Sequence, residues 1–469
     1  MGKAGKERKR RRLETTHPAH PVTKVPALEA SDSGDDEGLT THEGGISSSA
    51  LAVTVATLTA LESQPALLRS KQCKALRIAL HRLNAASTQA GVGGGTTLVG
   101  RVSDALTDGR WGDAMRLLEE MRERGVVPKL GALQRWVRDC DAVGSAEGGL
   151  DGAEEVLRVL DAVLRTSDPE MVPKPTGEDE GVVQRHPPWA PCPRRTEPTV
   201  RLDAETDYKS QFRVVSFEKG AERRTPNLHD FIMYTSVPGT IAHASESAPS
   251  VTRQNVPHVP GAFLLTDVLT PAQCTQILSA TENVGFMPDA PIGSGAAAEQ
   301  ISVLAHNMFW LADDDILSMI FERCRPHLPP VVAPNCELRG LNSRWRVYRY
   351  VPGAVYRPHI DGAWPGSGLD PVTGNYEYDL YKDRRSKLTF LVYLNDDFEG
   401  GSTTFFTPAA RTGTLDAWPV TPRTGSVLCF PHGDAKGALL HEGSRVTQGT
   451  KYIIRADVLY SLPKDAEKL

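Results

Sequence analysis

The chain has 469 residues and a formal net charge of -5. That length suits two to four domains with a core of ordinary size, and the acidic balance excludes nucleic-acid binding by the surface as a whole, leaving only local patches for it. Seven cysteines lie scattered without CxxC pairing, which excludes a disulfide framework or a cysteine zinc site and reads as reduced, buried thiols in an intracellular protein. No apolar run reaches membrane-spanning length and no apolar signal core opens the chain, so no membrane role and a nuclear or cytoplasmic location are expected.

Residues 1–45 are expected to form a disordered tail. Lys or Arg fills seven of the ten positions from 3 to 12, and the acidic run Ser31-Asp32-Ser33-Gly34-Asp35-Asp36-Glu37 follows. Such composition buries too little apolar surface to fold. The basic cluster reads as a nuclear-import signal or nucleic-acid arm, set against a plain solvated tail.

Residues 46–166 read as helical. Leu51, Val55, Leu58 and Leu61 recur at helical spacing. The stretch from Gly109 to Pro128 resembles one pentatricopeptide-type unit, an amphipathic helix ended by Gly125 with Pro128 just beyond, and Leu130 opens its partner. One visible unit is too few for a solenoid. A helical docking or scaffolding region is therefore preferred, with RNA reading as the alternative.

Residues 167–225 are expected to be a Pro-rich connector, because proline at this density removes donors and blocks helix. A domain is expected over residues 226–469. There Thr270-Pro271 marks a helix start, as N-cap and N1. After Arg344, runs of Val, Tyr, Phe, Leu and Ile broken by Gly, Pro and Asp signal many strands. The fold class expected is α+β, with a C-terminal double-stranded β-helix or jelly-roll.

The chemistry centres on Arg357-Pro358-His359-Ile360-Asp361-Gly362 and, downstream, Leu440-His441-Glu442-Gly443. On a strand, His359 and Asp361 point to one face. Two histidines and one carboxylate form the set that binds non-haem Fe(II) with coordination positions left open. His432 is the rival to His441. Lys451 opens an apolar strand, where a buried ammonium needs an anion; Arg455, four residues on and on the same face, is the rival cation.

These segments resemble the 2-oxoglutarate/Fe(II) dioxygenases of the prolyl 4-hydroxylase type. The likeness runs through residues 348–361, Leu388-Thr389-Phe390-Leu391-Val392-Tyr393-Leu394-Asn395, Glu399-Gly400-Gly401-Ser402-Thr403-Thr404-Phe405-Phe406, and His441 to Tyr452 with Lys451 ten residues after the histidine. A weaker match starts at Pro260. The resemblance implies His359, Asp361 and His441 as metal ligands, Lys451 for the distal carboxylate of 2-oxoglutarate, and Tyr350 and Thr389 as further cosubstrate contacts. It implies Fe(II), 2-oxoglutarate and O2 as cofactors, with ascorbate as reductant, and hydroxylation of a C–H bond, foremost on a protein or peptide, with release of succinate and CO2. An RNA-directed oxygenase and a non-catalytic scaffold are the alternatives. Residues 362–385, with Trp364, Tyr376, Tyr378 and Tyr381, are expected to form a lid over the substrate.

Overall fold

The computed structural model describes residues 48–63, 97–141, 153–168, 181–194, most of 202–223, 230–242, 250–288 and 305–462, with scattered positions from 67 to 80. The expected tail, residues 1–45, lies outside these, as does Val172-Pro173-Lys174-Pro175.

Helices α1 (Ser48–Ser63), α2 (Leu98–Thr107), α3 (Trp111–Glu123), α4 (Leu130–Cys140) and α5 (Ala153–Arg165) come first. The expected pair around Gly125 forms as α3 and α4, with Gly125 at φ 62°. Strands β1 (Val183–Arg185), β2 (Phe212–Glu218), β3 (Phe231–Ser236), β4 (Thr252–Asn255) and β5 (Phe263–Thr266) lead to α6 (Pro271–Val284). Thr270 caps α6 through a capping box with Gln273, and Pro271 sits in its first turn, as expected. Then follow β6 (Met287–Pro288), β7 (His306–Leu311), α7 (Asp314–Cys324), β8 (Val331–Ala333), β9 (Cys336–Leu341), β10 (Arg344–Tyr350) and β11 (Tyr356–His359). The C-terminal part is all strand: β12 (Gly368–Leu369), β13 (Tyr376–Glu377), β14 (Arg384–Tyr393), β15 (Glu399–Gly400), β16 (Thr403–Pro408), β17 (Leu415–Val420), β18 (Val427–Pro431), β19 (Leu440–Gly443), β20 (Val446–Gln448) and β21 (Lys451–Ser461).

Two sheets result. The larger has twelve strands, with the path β2-β3-β7-β10-β21-β14-β18-β5-β4; the smaller runs β1-β17-β16-β19-β11. Strand β21 shows how the layers form. Ile454, Ala456 and Val458 enter one core beneath α6 and α7, while Ile453 joins Tyr348, Tyr393, Phe405 and Phe430 in another. Period-2 alternation thus buries both faces of one strand. Lys451, Arg455 and Asp457 are the polar residues of that alternation, all buried.

The helices α2–α5 are not a detached docking module. Their apolar faces pack on Ile360, Phe406, Leu415, Ala417 and Leu440, the outer face of the smaller sheet. Each such large side chain contributes about 1.5–3 kcal/mol by burial. A fully buried ion pair adds a specific anchor. Arg165 reaches Asp161 at 2.8 Å and donates to the carbonyls of Ala409 and Arg411. Asp161 in turn accepts from the Gly413 amide. The faces that a repeat protein would offer to a partner are here consumed by the sheet.

The stretch expected as a connector is also built in. Strand β1 pairs in parallel with β17, and β2 pairs with β3 at the edge of the larger sheet. Proline density conceals both strands, because each draws its ladder from residues more than a loop away. The folded unit accordingly begins well before residue 226. Among the described residues, no helix is long and apolar enough to cross a membrane.

Candidate active site

The site lies between the sheets, where β11 meets β19. His359 and His441 are direct cross-strand partners, with ring centroids 4.2 Å apart. Antiparallel pairing thus joins two residues that are distant in sequence. Asp361 follows on the same face as His359, and its carboxylate oxygens lie 3.4 Å from His359 Nε2 and 3.8 Å from His441 Nε2. The ligand atoms of the three residues all fall within 4.8 Å of one another.

Main-chain carbonyls fix both rings. Nδ1 of His359 faces the Arg357 carbonyl at 2.8 Å, and Nδ1 of His441 faces the Leu439 carbonyl at 3.1 Å. Each carbonyl demands the proton on Nδ1, so the Nε2 lone pair faces the cavity. Burial, with His359 nearby, pushes His441 down to about 4, so it is neutral at pH 7. Burial alone would raise the Asp361 pKa, but Arg455 and the histidines hold it well below the usual carboxylate range. Oδ1 of Asp361 is buried and receives no hydrogen bond among the described residues. Two Nε2 atoms facing the cavity, an ionised carboxylate and a buried oxygen without a hydrogen bond fit a divalent cation.

Behind Asp361 runs a buried chain of hydroxyls. Thr389 Oγ1 donates to Asp361 Oδ2 at 2.6 Å and lies 2.7 Å from His432 Nδ1. His432 Nε2 lies 2.6 Å from Ser386 Oγ, which accepts from the Trp364 amide. Burial pushes His432 down to about 3, so it is neutral, and one tautomer satisfies every link. Sequence reasoning expected Thr389 to bind cosubstrate. It lines the cavity, and its hydroxyl donates to the Asp361 carboxylate; its β18 partner is Phe430, two residues before His432. The rival histidine stands outside the ligand triad and orients it.

Lys451 and Tyr350 are cross-strand partners and line one cavity together with His359, Asp361, His441 and Arg455. Lys451 is 1% exposed. Its Nζ donates to the Gly401 carbonyl at 2.7 Å and lies 5.0 Å from the centre of the Tyr350 ring. Among the described residues no carboxylate lies within ion-pair distance of it. The tight Gly400-Gly401 turn makes this possible. Both residues have positive φ, and a Cβ at Gly400 would stand 2.3 Å from the Arg445 carbonyl, one at Gly401 3.1 Å from Lys451 Cδ.

Sequence reasoning missed the brace on the ligand strand. Gln134 of α4 donates to the carbonyl of Ile360, between the two ligands, at 3.0 Å. Arg357 pairs with the Asp141 carboxylate and donates to its carbonyl at 2.7 Å. These partners are more than 200 residues away in sequence, so no local signal marks them. Gln134→Leu should weaken Mn(II) binding by about tenfold through a misplaced ligand pair, measurable by calorimetric titration. An unchanged affinity would make the contact purely structural.

The expected lid packs elsewhere. Strands β12 and β13 form a small hairpin, and Leu369 and Tyr376 pack against Phe231, Met233 and Leu311 at the far side of the larger sheet. Trp364 is buried under the Arg344 guanidinium. None of residues 362–385 lines the site cavity. Trp364 and Tyr376 thus meet core, while Tyr381 is exposed beneath the Arg384 guanidinium, a division that periodicity in a loop cannot reveal.

A two-histidine, one-carboxylate set is the donor set that suits non-haem Fe(II) with coordination positions left open. Residues 345–456 match the family model of the 2OG-Fe(II) oxygenase superfamily. A putative prolyl 4-hydroxylase of Acanthamoeba polyphaga mimivirus is 27% identical over 196 residues, covering 41% of this chain and 71% of that protein. Among solved structures, a viral collagen prolyl hydroxylase from Paramecium Bursaria Chlorella virus-1 is 16% identical, covering 45% of this chain and 97% of that one with a TM-score of 0.27. A Pseudomonas putida prolyl-4-hydroxylase is 15% identical, covering 45% and 92%, also with a TM-score of 0.27. Residues 345–456 thus carry the match to the 2-oxoglutarate/Fe(II) oxygenase superfamily, and the chain is similar there to a prolyl 4-hydroxylase.

Proposed function

We propose that the protein hydroxylates a C–H bond on a protein or peptide, with His359, Asp361 and His441 holding Fe(II) and Lys451 holding the distal carboxylate of 2-oxoglutarate. The observation that carries this reading is the convergence of that triad and a buried lysine on one cavity. When bound, iron with 2-oxoglutarate and O2 supplies oxidation of the substrate C–H bond, with succinate and CO2 as co-products and ascorbate as the reductant that restores Fe(II). The chain's own residues bind and orient. His359 and His441 present Nε2, Thr389 fixes the Asp361 carboxylate, and the apolar lining from Tyr348, Leu391, Phe430 and Ile453 excludes water. The two facing sheets are read as a double-stranded β-helix, with the helices α2–α5 as its cover. The protein-directed substrate rests on the viral relative's name as a prolyl 4-hydroxylase.

Lys451 makes the reading testable by pH. Burial pushes its ammonium from an ordinary 10.5 down to about 7 in the empty cavity. Between these values the unfolded chain keeps a proton that the folded protein has lost. The empty protein should therefore gain stability as pH rises from about 7 to about 10.5. A bound carboxylate restores the proton. Affinity for 2-oxoglutarate should then fall by up to about tenfold per pH unit above 7, with proton uptake on binding. Calorimetry of the Mn(II)-loaded protein in buffers of different ionisation enthalpy reads both. Lys451→Met should abolish the pH dependence and raise the 2-oxoglutarate requirement for succinate formation about 10–100-fold. A pH-independent affinity would remove Lys451 from the cosubstrate site.

A further inference from the structure

Arg455 shares the cavity with Lys451 but stands at its other end. Residues four apart on a strand face the same side, and both side chains line the cavity. Lys451 Nζ is fixed on the Gly401 carbonyl. Arg455 Nη2 instead lies 3.2 Å from Asp361 Oδ1 and 3.8 Å from Asp457 Oδ1. Ile453 separates the two cations. One cation is therefore remote from the metal triad and one abuts it.

We propose that Arg455 is the second cation of the cosubstrate site, binding the carboxylate of the keto-acid end while Lys451 binds the distal one. The proposal rests on the cosubstrate reading above and extends it to a residue with a separate role. An α-keto acid chelates a metal through its keto oxygen and one carboxylate oxygen. The other carboxylate oxygen stays in the cavity and needs a donor, since an unpaired buried oxyanion is costly. A guanidinium within reach of Asp361 Oδ1 is also within reach of a ligand on the adjoining metal position. Its planar fork suits a carboxylate better than an ammonium would.

Charge supports the same assignment. With Lys451 protonated against a bound carboxylate, its charge and that of Arg455 equal those of the buried Asp361 and Asp457. A divalent metal alone adds positive charge that these two carboxylates do not balance. A dicarboxylate bound with the metal restores neutrality, and the two cations lie where its two ends would meet them. Asp457 Oδ1 lies 3.8 Å from Arg455 Nη2. Its β14 partner is Thr389, which ties this pair to the chain of hydroxyls behind Asp361.

The test uses the full chain loaded with Mn(II) and three probes: 2-oxoglutarate, 2-oxopentanoate, which lacks the distal carboxylate, and glutarate, which lacks the keto group. The variants are Lys451→Met, Arg455→Lys, Arg455→Met and the charge-balanced double Arg455→Met/Asp457→Asn. Circular dichroism first establishes which of them fold. Lys451→Met should weaken 2-oxoglutarate about 10–100-fold and leave 2-oxopentanoate unchanged. The folded Arg455 variants should weaken 2-oxoglutarate and 2-oxopentanoate by the same factor, with Arg455→Lys the milder. Arg455→Lys retains the charge balance and so supplies the answer if both Met variants unfold. Should every Arg455 variant change Mn(II) affinity while keto-acid affinity stays at the wild-type value, Arg455 is only the counter-ion of Asp361 and the proposal is overturned. Failure of the wild type to bind 2-oxoglutarate more tightly than glutarate would instead sink the cosubstrate reading itself.

Discussion

Asp361→Asn should cost the protein its metal. The substitution keeps the shape of the side chain and the contact with Thr389 but removes the negative charge. It also takes from Arg455 the nearer of two carboxylates, 3.2 Å from its Nη2 against 3.8 Å for Asp457. Removing one partner of a buried charge pair typically costs about 3–5 kcal/mol of folding stability. Separately, the lost charged ligand should lower Mn(II) affinity by more than the roughly 10–100-fold that an outer partner of a ligand costs. Succinate formation should drop to background. Isothermal titration with Mn(II) and a coupled succinate assay read the two effects separately. Wild-type metal affinity in the variant would show that the cluster at His359, Asp361 and His441 is not the metal site.

The second large effect follows from the helical cover. Residues 226–469, expressed without the preceding chain, should fail to give a soluble, cooperatively folded protein. Deletion exposes Ile360, Phe406, Leu415, Ala417 and Leu440 together, and such contiguous apolar patches mark interfaces or aggregation sites. It also removes β1 and β2, leaving β17 and β3 as unpaired edges. Gln134 and Asp141 depart as well, so the strand carrying His359 loses its brace. Expression from residue 97 should restore the fold. Near-ultraviolet circular dichroism and size exclusion of the two proteins would decide. A monomeric, cooperatively melting product from 226–469 would make the helices an independent module after all.

Much of the site was legible before any coordinates. His359 and Asp361 share a face because strand side chains alternate with period two. Lys451 was legible because an ammonium at the head of an apolar strand has few ways to be stable. The Thr270-Pro271 helix start was legible because capping is a local matter of which side chain meets which free amide. Each of these depends on a few adjacent residues.

Whatever depended on contacts between distant segments was decided by tertiary structure alone. The cross-strand pairing of His441 with His359 agrees with the resemblance, but its geometry comes from sheet register. Thr389 bonds Asp361 and lies beside His432 because of how β14 and β18 pair. The loop over residues 362–385 became packing for β3 and β7 rather than a lid. The helices that read as a separate module became the outer layer of the smaller sheet. Their amphipathic pattern specifies that a face will be buried; only the fold supplies the surface that buries it, because hydrophobic burial is non-directional and carries no address in the local sequence.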